Sequence, residues 1–126
     1  MSTHFLNVDL EITSKNSLSP IIEEFGDEVI ELHHGKHHDR YFASFELNNE
    51  LDNANSIIKY FCLLIENLEP KAKKIWDEAY SKVFDIGYQS DLNPRYYQSN
   101  IELDTIQAVS RLQASLTITI YPPEKK

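Results

Sequence analysis

The stretch FLNVDLEIT, residues 5–13, alternates between two chemistries. Leu6, Val8, Leu10 and Ile12 fall on one side, and Asn7, Asp9 and Glu11 on the other. A period of two in apolar residues predicts a strand with one buried face and one polar face. A sheet of this kind needs helices on its apolar side only, so the rest of the chain is read for elements that supply them. In "SLSPIIEEFGD" the residues Leu18, Ile21, Ile22 and Phe25 have helical spacing. Ser19 is suited to cap that helix, Pro20 to its first turn and Gly26 to its end. "EVIELHH" and "RYFASFELN" read as two short strands, with Tyr41, Ala43, Phe45 and Leu47 on one side of the second. Gly35, in "HGKHHD" between them, is the predicted bend of a hairpin.

The strongest helix is "DNANSIIKYFCLLIENLEP", capped by Asp52 or Asn53, with Ile57, Phe61, Leu64, Ile65 and Leu68 as its inner stripe. Pro70 ends it, kinks it or starts another helix. "KAKKIWDEAY" continues helically, with Ala72, Ile75, Trp76 and Ala79 on one face. Trp76 is a core residue in this reading, packed with Phe84 and Ile86. "KVFDIGYQS" is a strand that places Asp85 on the polar face, and "SDLNPRYYQSN" is a polar loop. "LDTIQAVSRLQ" is a helix with Asp104 as cap and Ile106, Val109 and Leu112 inward. In the last strand, "ASLTITIYP", Leu116, Ile118 and Ile120 point inward and Thr117, Thr119 and Tyr121 outward. Pro122 and Pro123 stop it, and the lysine tail reads as frayed. The expected fold is α+β in the order β-α-β-β-α-β-α-β. It is a ferredoxin-like unit with an added helix and strand, helices packed on one face of the sheet. One domain spans residues 1–126, with an ordered core over about 3–121.

The 126 residues carry 20 acidic and 12 basic side chains, a net charge of −8. That balance argues against direct nucleic-acid binding and is compatible with a basic partner. No run of 18 apolar residues is present, so no membrane span is expected. The N-terminus does not read as a signal peptide, and Cys62 has no second cysteine to bridge to. A cytoplasmic protein is the expectation.

The runs "AKKIWDEAYSKVFDIGYQS" (72–90) and "TIQAVSRLQASLTITIYP" (105–122) resemble a family of small bacterial domains of unknown function. Some members of that family look like immunity proteins of contact-dependent toxin systems. The resemblance covers residues 3–121 and is most specific in "QASLTITIY". Members often carry acidic residues in the last strand, where this chain has Thr117 and Thr119. The resemblance implies a cytoplasmic, non-catalytic immunity protein that binds and neutralises a cognate bacterial toxin. Many such toxins are nucleases with basic, phosphate-binding clefts.

Three groups of residues are candidates for contact or chemistry. Glu23, Glu24, Asp27, Glu28 and Glu31 follow one another with no Lys or Arg between Lys15 and Lys36, and such a patch can steer a basic partner. Arg95, Tyr96 and Tyr97 are residue types enriched in binding hot spots. "HHGKHH" gathers His33, His34, His37 and His38. A solvated turn, an adventitious Zn or Ni site, and a functional metal or partner contact are all compatible with it. A hairpin can set His33 opposite His38, with Asp39 or Glu31 as a further ligand. The histidines support an alternative function, a metal-binding or metal-responsive domain. A homodimer through the open sheet face or an edge strand is another. No catalytic residue is assigned: no phosphate loop, nucleophile elbow or zinc-type cysteine pair is present, and Cys62 lies in an apolar run.

Overall fold

The structure is a computed structural model that describes residues 2–92 and 95–124. It is α+β, with a five-stranded mixed sheet and four helices. Strand β1 (His4–Ser14) leads to helix α1 (Ser19–Phe25), a single 3-10 turn (Gly26–Glu28), and strands β2 (Val29–His37) and β3 (Arg40–Leu47). Helices α2 (Ala54–Glu66) and α3 (Pro70–Glu78) precede β4 (Ser81–Gln89), and α4 (Leu103–Arg111) precedes β5 (Ser115–Tyr121). The strand order is β2-β3-β1-β4-β5. β1 lies antiparallel between β3 and β4, β2 pairs antiparallel with β3, and β5 runs parallel to β4.

The alternation in residues 5–13 does what the pattern requires. Val8, Leu10 and Ile12 are buried against Phe45, Phe84, Ile86 and the helices. Asn7, Asp9 and Glu11 take the opposite, open face. Leu6 departs from the expectation and is exposed. The register shifts between Phe5 and Asn7, so Phe5 replaces Leu6 on the inner side and packs edge-on against Tyr88, with ring centres 6.0 Å apart.

The helix predicted between β3 and β4 is two helices. Pro70 opens α3, and Glu69 before it is held extended, as a residue preceding proline must be. Asn53, the N-cap of α2, accepts a hydrogen bond from the Ser56 amide at 2.8 Å. The α1 cap differs from expectation. Ser19 is already helical, and the Ser17 hydroxyl accepts from its amide at 3.3 Å. Gly26 ends α1 with φ +49°, a left-handed conformation that favours glycine. In α4 the inward residues are Thr105, Ala108 and Val109, followed by Leu112 just past its end, whereas Ile106 is exposed.

The hairpin bends at His38 and Asp39, not at Gly35. His38 takes φ +57°, and Gly35 lies within β2 opposite Phe42. The Phe42 ring occupies the space above that glycine: a Cβ there would sit 3.0 Å from Phe42 Cζ. The last strand also departs from expectation. Leu116, Ile118 and Ile120 lie on the helix side of the sheet, yet all three are exposed.

Trp76 ties the helix layer together. Its ring is fully buried, and its Nε1 donates to the carbonyl of Leu112, beyond α4, at 3.1 Å. Trp76→Phe removes the donor, strands a buried carbonyl and leaves space. A loss of about 2–3 kcal/mol is expected in urea unfolding followed by far-UV circular dichroism.

Candidate functional site: an acidic patch on the open sheet face

The open face of the sheet collects four carboxylates from three strands. Asp9 and Glu11 come from β1, Glu46 from β3 and Asp85 from β4. Asp9 faces Asp85 directly across the antiparallel pair. Like charges so placed destabilise a sheet, and these are only partly solvated. Neutral donors hold the group together. Asn7 Nδ2 donates to Asp9 Oδ1 at 3.0 Å and to Glu46 Oε2 at 3.1 Å. Thr119 Oγ1, from β5, donates to Asp85 Oδ1 at 2.7 Å. Gly87 makes room for the Asn7 amide, since a Cβ there would lie 3.1 Å from Asn7 Oδ1. Among the described residues, no ion pair reaches any of the four carboxylates.

Ser44 belongs to the same face. On β3, it pairs with Glu11 of β1 on one side and with His33 of β2 on the other. Its hydroxyl is buried and makes no hydrogen bond. A small cavity of about 100 Å³ adjoins the patch, lined in part by Asn7, Glu46 and Asn49. Drug-sized ligands need at least about 300 Å³, so the patch is a surface and not a small-molecule pocket.

Burial pushes Asp9 up to about 6, and the neighbouring Glu46, Glu11 and Asp85 push in the same direction. His33 acts against them. Burial, then Asp85, also raises Glu11 above its ordinary value. Elsewhere, burial raises the Cys62 thiol to about 12, which leaves it protonated at neutral pH.

Three of the five carboxylates around α1, those of Glu24, Glu28 and Glu31, meet groups of the same chain. Both carboxylate oxygens of Glu24 accept from the amide of Glu69, each at 3.1 Å. Glu69 is the N-cap of α3, so Glu24 sits at the favourable end of that helix's dipole. Glu28 accepts a hydrogen bond from the Tyr60 hydroxyl, which raises the Tyr60 value. The Asp27 carbonyl accepts from Asn48 Nδ2 at 3.1 Å, and Glu31 Oε1 lies 3.1 Å from His34 Nδ1. Glu23 is exposed on α1.

The histidines do not converge. Strand alternation separates His33 and His37 from His34, and His33 faces Ser44 rather than His38. His37 and His38 stack edge-on with ring centres 4.2 Å apart. Among the described residues, no group of three or more His, Cys, Asp or Glu has an arrangement that could hold a metal ion.

The aromatic loop serves the other face. Tyr97 packs edge-on against Tyr88, on the helix side, with ring centres 5.5 Å apart, while Tyr96 is exposed. Arg95 is also exposed, and Asn93 and Pro94 lie outside the described residues, as do the two terminal lysines. The acidic patch and the aromatic loop therefore do not form one surface. Sequence patterning placed Asp85 on the polar face. The meeting of Asp9, Glu46 and Asp85 depends on strand order, which no local pattern encodes.

No family model, no curated protein and no solved structure matches the chain. No helix is long and apolar enough to cross a membrane among the described residues.

The raised Asp9 value links the patch to stability. A carboxyl whose folded value lies above its ordinary 3.8 opposes folding only when ionised. The penalty is absent below about pH 4 and complete above about pH 6, so stability falls as pH rises through that window. Asp9→Asn keeps an acceptor for Asn7. After allowance for solvent screening, it should stabilise the protein by about 1 kcal/mol at pH 7.5. The gain should shrink toward pH 4, as read by urea unfolding at both values.

Proposed function

We propose that this chain is a non-catalytic, cytoplasmic immunity protein that neutralises a cognate toxin by binding a basic surface on it. The carrying observation is the group Asp9, Glu11, Glu46 and Asp85, four carboxylates on an open sheet face that no ion pair reaches among the described residues. An unbalanced acidic surface, half-buried at Asp9, Glu46 and Asp85, gains most when a cation docks on it. Arg or Lys side chains then replace the lost hydration and cancel the mutual repulsion. The net charge of −8 adds long-range attraction to a positive partner and accelerates encounter. Such speed suits an inhibitor that must act before damage is done. The toxin assignment rests on the family resemblance over about residues 3–121, carried by the runs 72–90 and 105–122. We read the scaffold as a ferredoxin-like unit, β1 to β4, extended by α4 and β5.

Of the two acidic surfaces, the sheet face is favoured over the α1 region. Asp9, Glu46 and Asp85 are half-buried and crowd one another, whereas Glu23, Glu24, Asp27, Glu28 and Glu31 are all exposed and already well hydrated. The loop that carries Arg95, Tyr96 and Tyr97, with Tyr96 exposed, is the candidate for a second contact away from the sheet face.

Immobilised protein incubated with lysate of the native organism should retain a basic protein, equally with and without chelator. The triple variant Glu11→Gln, Glu46→Gln, Asp85→Asn should slow association with that protein by about tenfold or more and flatten its salt dependence. Glu23→Gln with Asp27→Asn, which neutralises two exposed carboxylates without adding cations, should change it by about twofold or less. Binding that ignores the sheet-face variant, or that disappears with chelator, refutes the assignment.

A further inference from the structure

Strand β5 is paired on one side only, with β4, and forms one edge of the sheet. Its helix-side row is uncovered: Leu116, Ile118 and Ile120 are 40%, 63% and 64% exposed. Edge strands in isolated proteins are defended by charges, prolines or bulges, because bare edges recruit other strands. The opposite edge shows such defences. β2 carries Glu31, Lys36 and three histidines, and its register breaks between Glu31 and His33. β5 has none of them. From Leu112 to Pro123 no side chain is charged, the longest such run in the chain.

We propose that the protein forms a two-fold dimer through β5, the two strands antiparallel with Ile118 on the axis. The five-stranded sheets then join into one of ten strands. In this register Leu116 faces Ile120 of the second copy, Thr117 faces Thr119, and Ser115 faces Tyr121. Every position meets a chemically similar one, apolar on one side and hydroxyl-bearing on the other, as an isologous contact requires. Charge selects a second copy as the occupant. Two chains of net charge −8 repel, so only an uncharged strip can bring them together. A strongly basic partner strand would find nothing on β5 to attract it. The pairing satisfies the free backbone edge and buries the three aliphatic side chains in the same step. The axis runs normal to the sheet, so both acidic patches lie on one side of the dimer.

Sedimentation velocity on the full chain, across a concentration series, tests this. Wild type should sediment at twice the 14.7 kDa chain mass. Ile118→Lys should weaken association about 100-fold or more with an unchanged far-UV spectrum. If the lysine variant unfolds, Ile118→Thr provides the same reading with less disturbance. Register is tested by oxidation. Ile118→Cys should form a disulfide-linked dimer, because residue 118 faces itself. Ile120→Cys should not, because its counterpart lies four residues along, about 13 Å away. Buried Cys62 is out of reach in both. A wild type that stays monomeric overturns the proposal. So does a dimer that survives both Ile118 variants, or equal cross-linking at 118 and 120.

Discussion

The structure depends on β1 having bonded neighbours on both edges and different duties on its two faces. Its inner residues, Val8, Leu10 and Ile12, form the floor on which the helices rest. Its outer residues, Asn7, Asp9 and Glu11, form the centre of the acidic patch. A strand repeats every two residues, so no side chain can change face without a slip that reverses all the others. The core therefore fixes where the carboxylates sit. The apolar residues hold Asp9 opposite Asp85, although the two repel.

That repulsion persists because neutral groups absorb part of it. Asn7 bridges Asp9 and Glu46, and Thr119 bonds to Asp85. Amides and hydroxyls orient carboxylates without cancelling their charge. The patch stays negative and in place, whereas internal lysines would have neutralised it. Around α1 two carboxylates also meet neutral donors, the Glu69 amide and the Tyr60 hydroxyl, but all five acidic side chains there are exposed and none faces another across a strand pair. Two acidic surfaces of similar composition thus differ in what they have left to offer.

Much of the fold was legible in the sequence, because its main signals are local. The alternation of residues 5–13, the capping Asn53 and the stripe of α2 all depend on neighbours a few positions away. The misreadings came from non-local facts. β5 alternates as regularly as β1, yet a period of two reports only sidedness. Whether a helix covers the apolar side depends on where α4 ends up. Gly35 read as a bend because glycine often turns, but here it makes room for the Phe42 ring. The histidines looked like one cluster along the chain, and alternation divided them. The candidate site was half legible: Asp85 could be assigned to the polar face, but its meeting with Asp9 and Glu46 required the strand order.

The position of β1 in the sheet also bears on how the chain is made. Of the five strands of this sheet, the first to leave the ribosome is the one flanked on both sides in the finished fold. One neighbour, β3, ends at Leu47, but the other, β4, begins only at Ser81. At ordinary elongation rates that gap is about 2 to 7 seconds, longer than hairpins and helices take to form. Throughout it, β1 holds one open edge in an unfinished protein. Asp9 and Glu11, both of which resist ionisation once the sheet closes, keep that waiting strand hydrated and discourage it from pairing with neighbouring nascent chains.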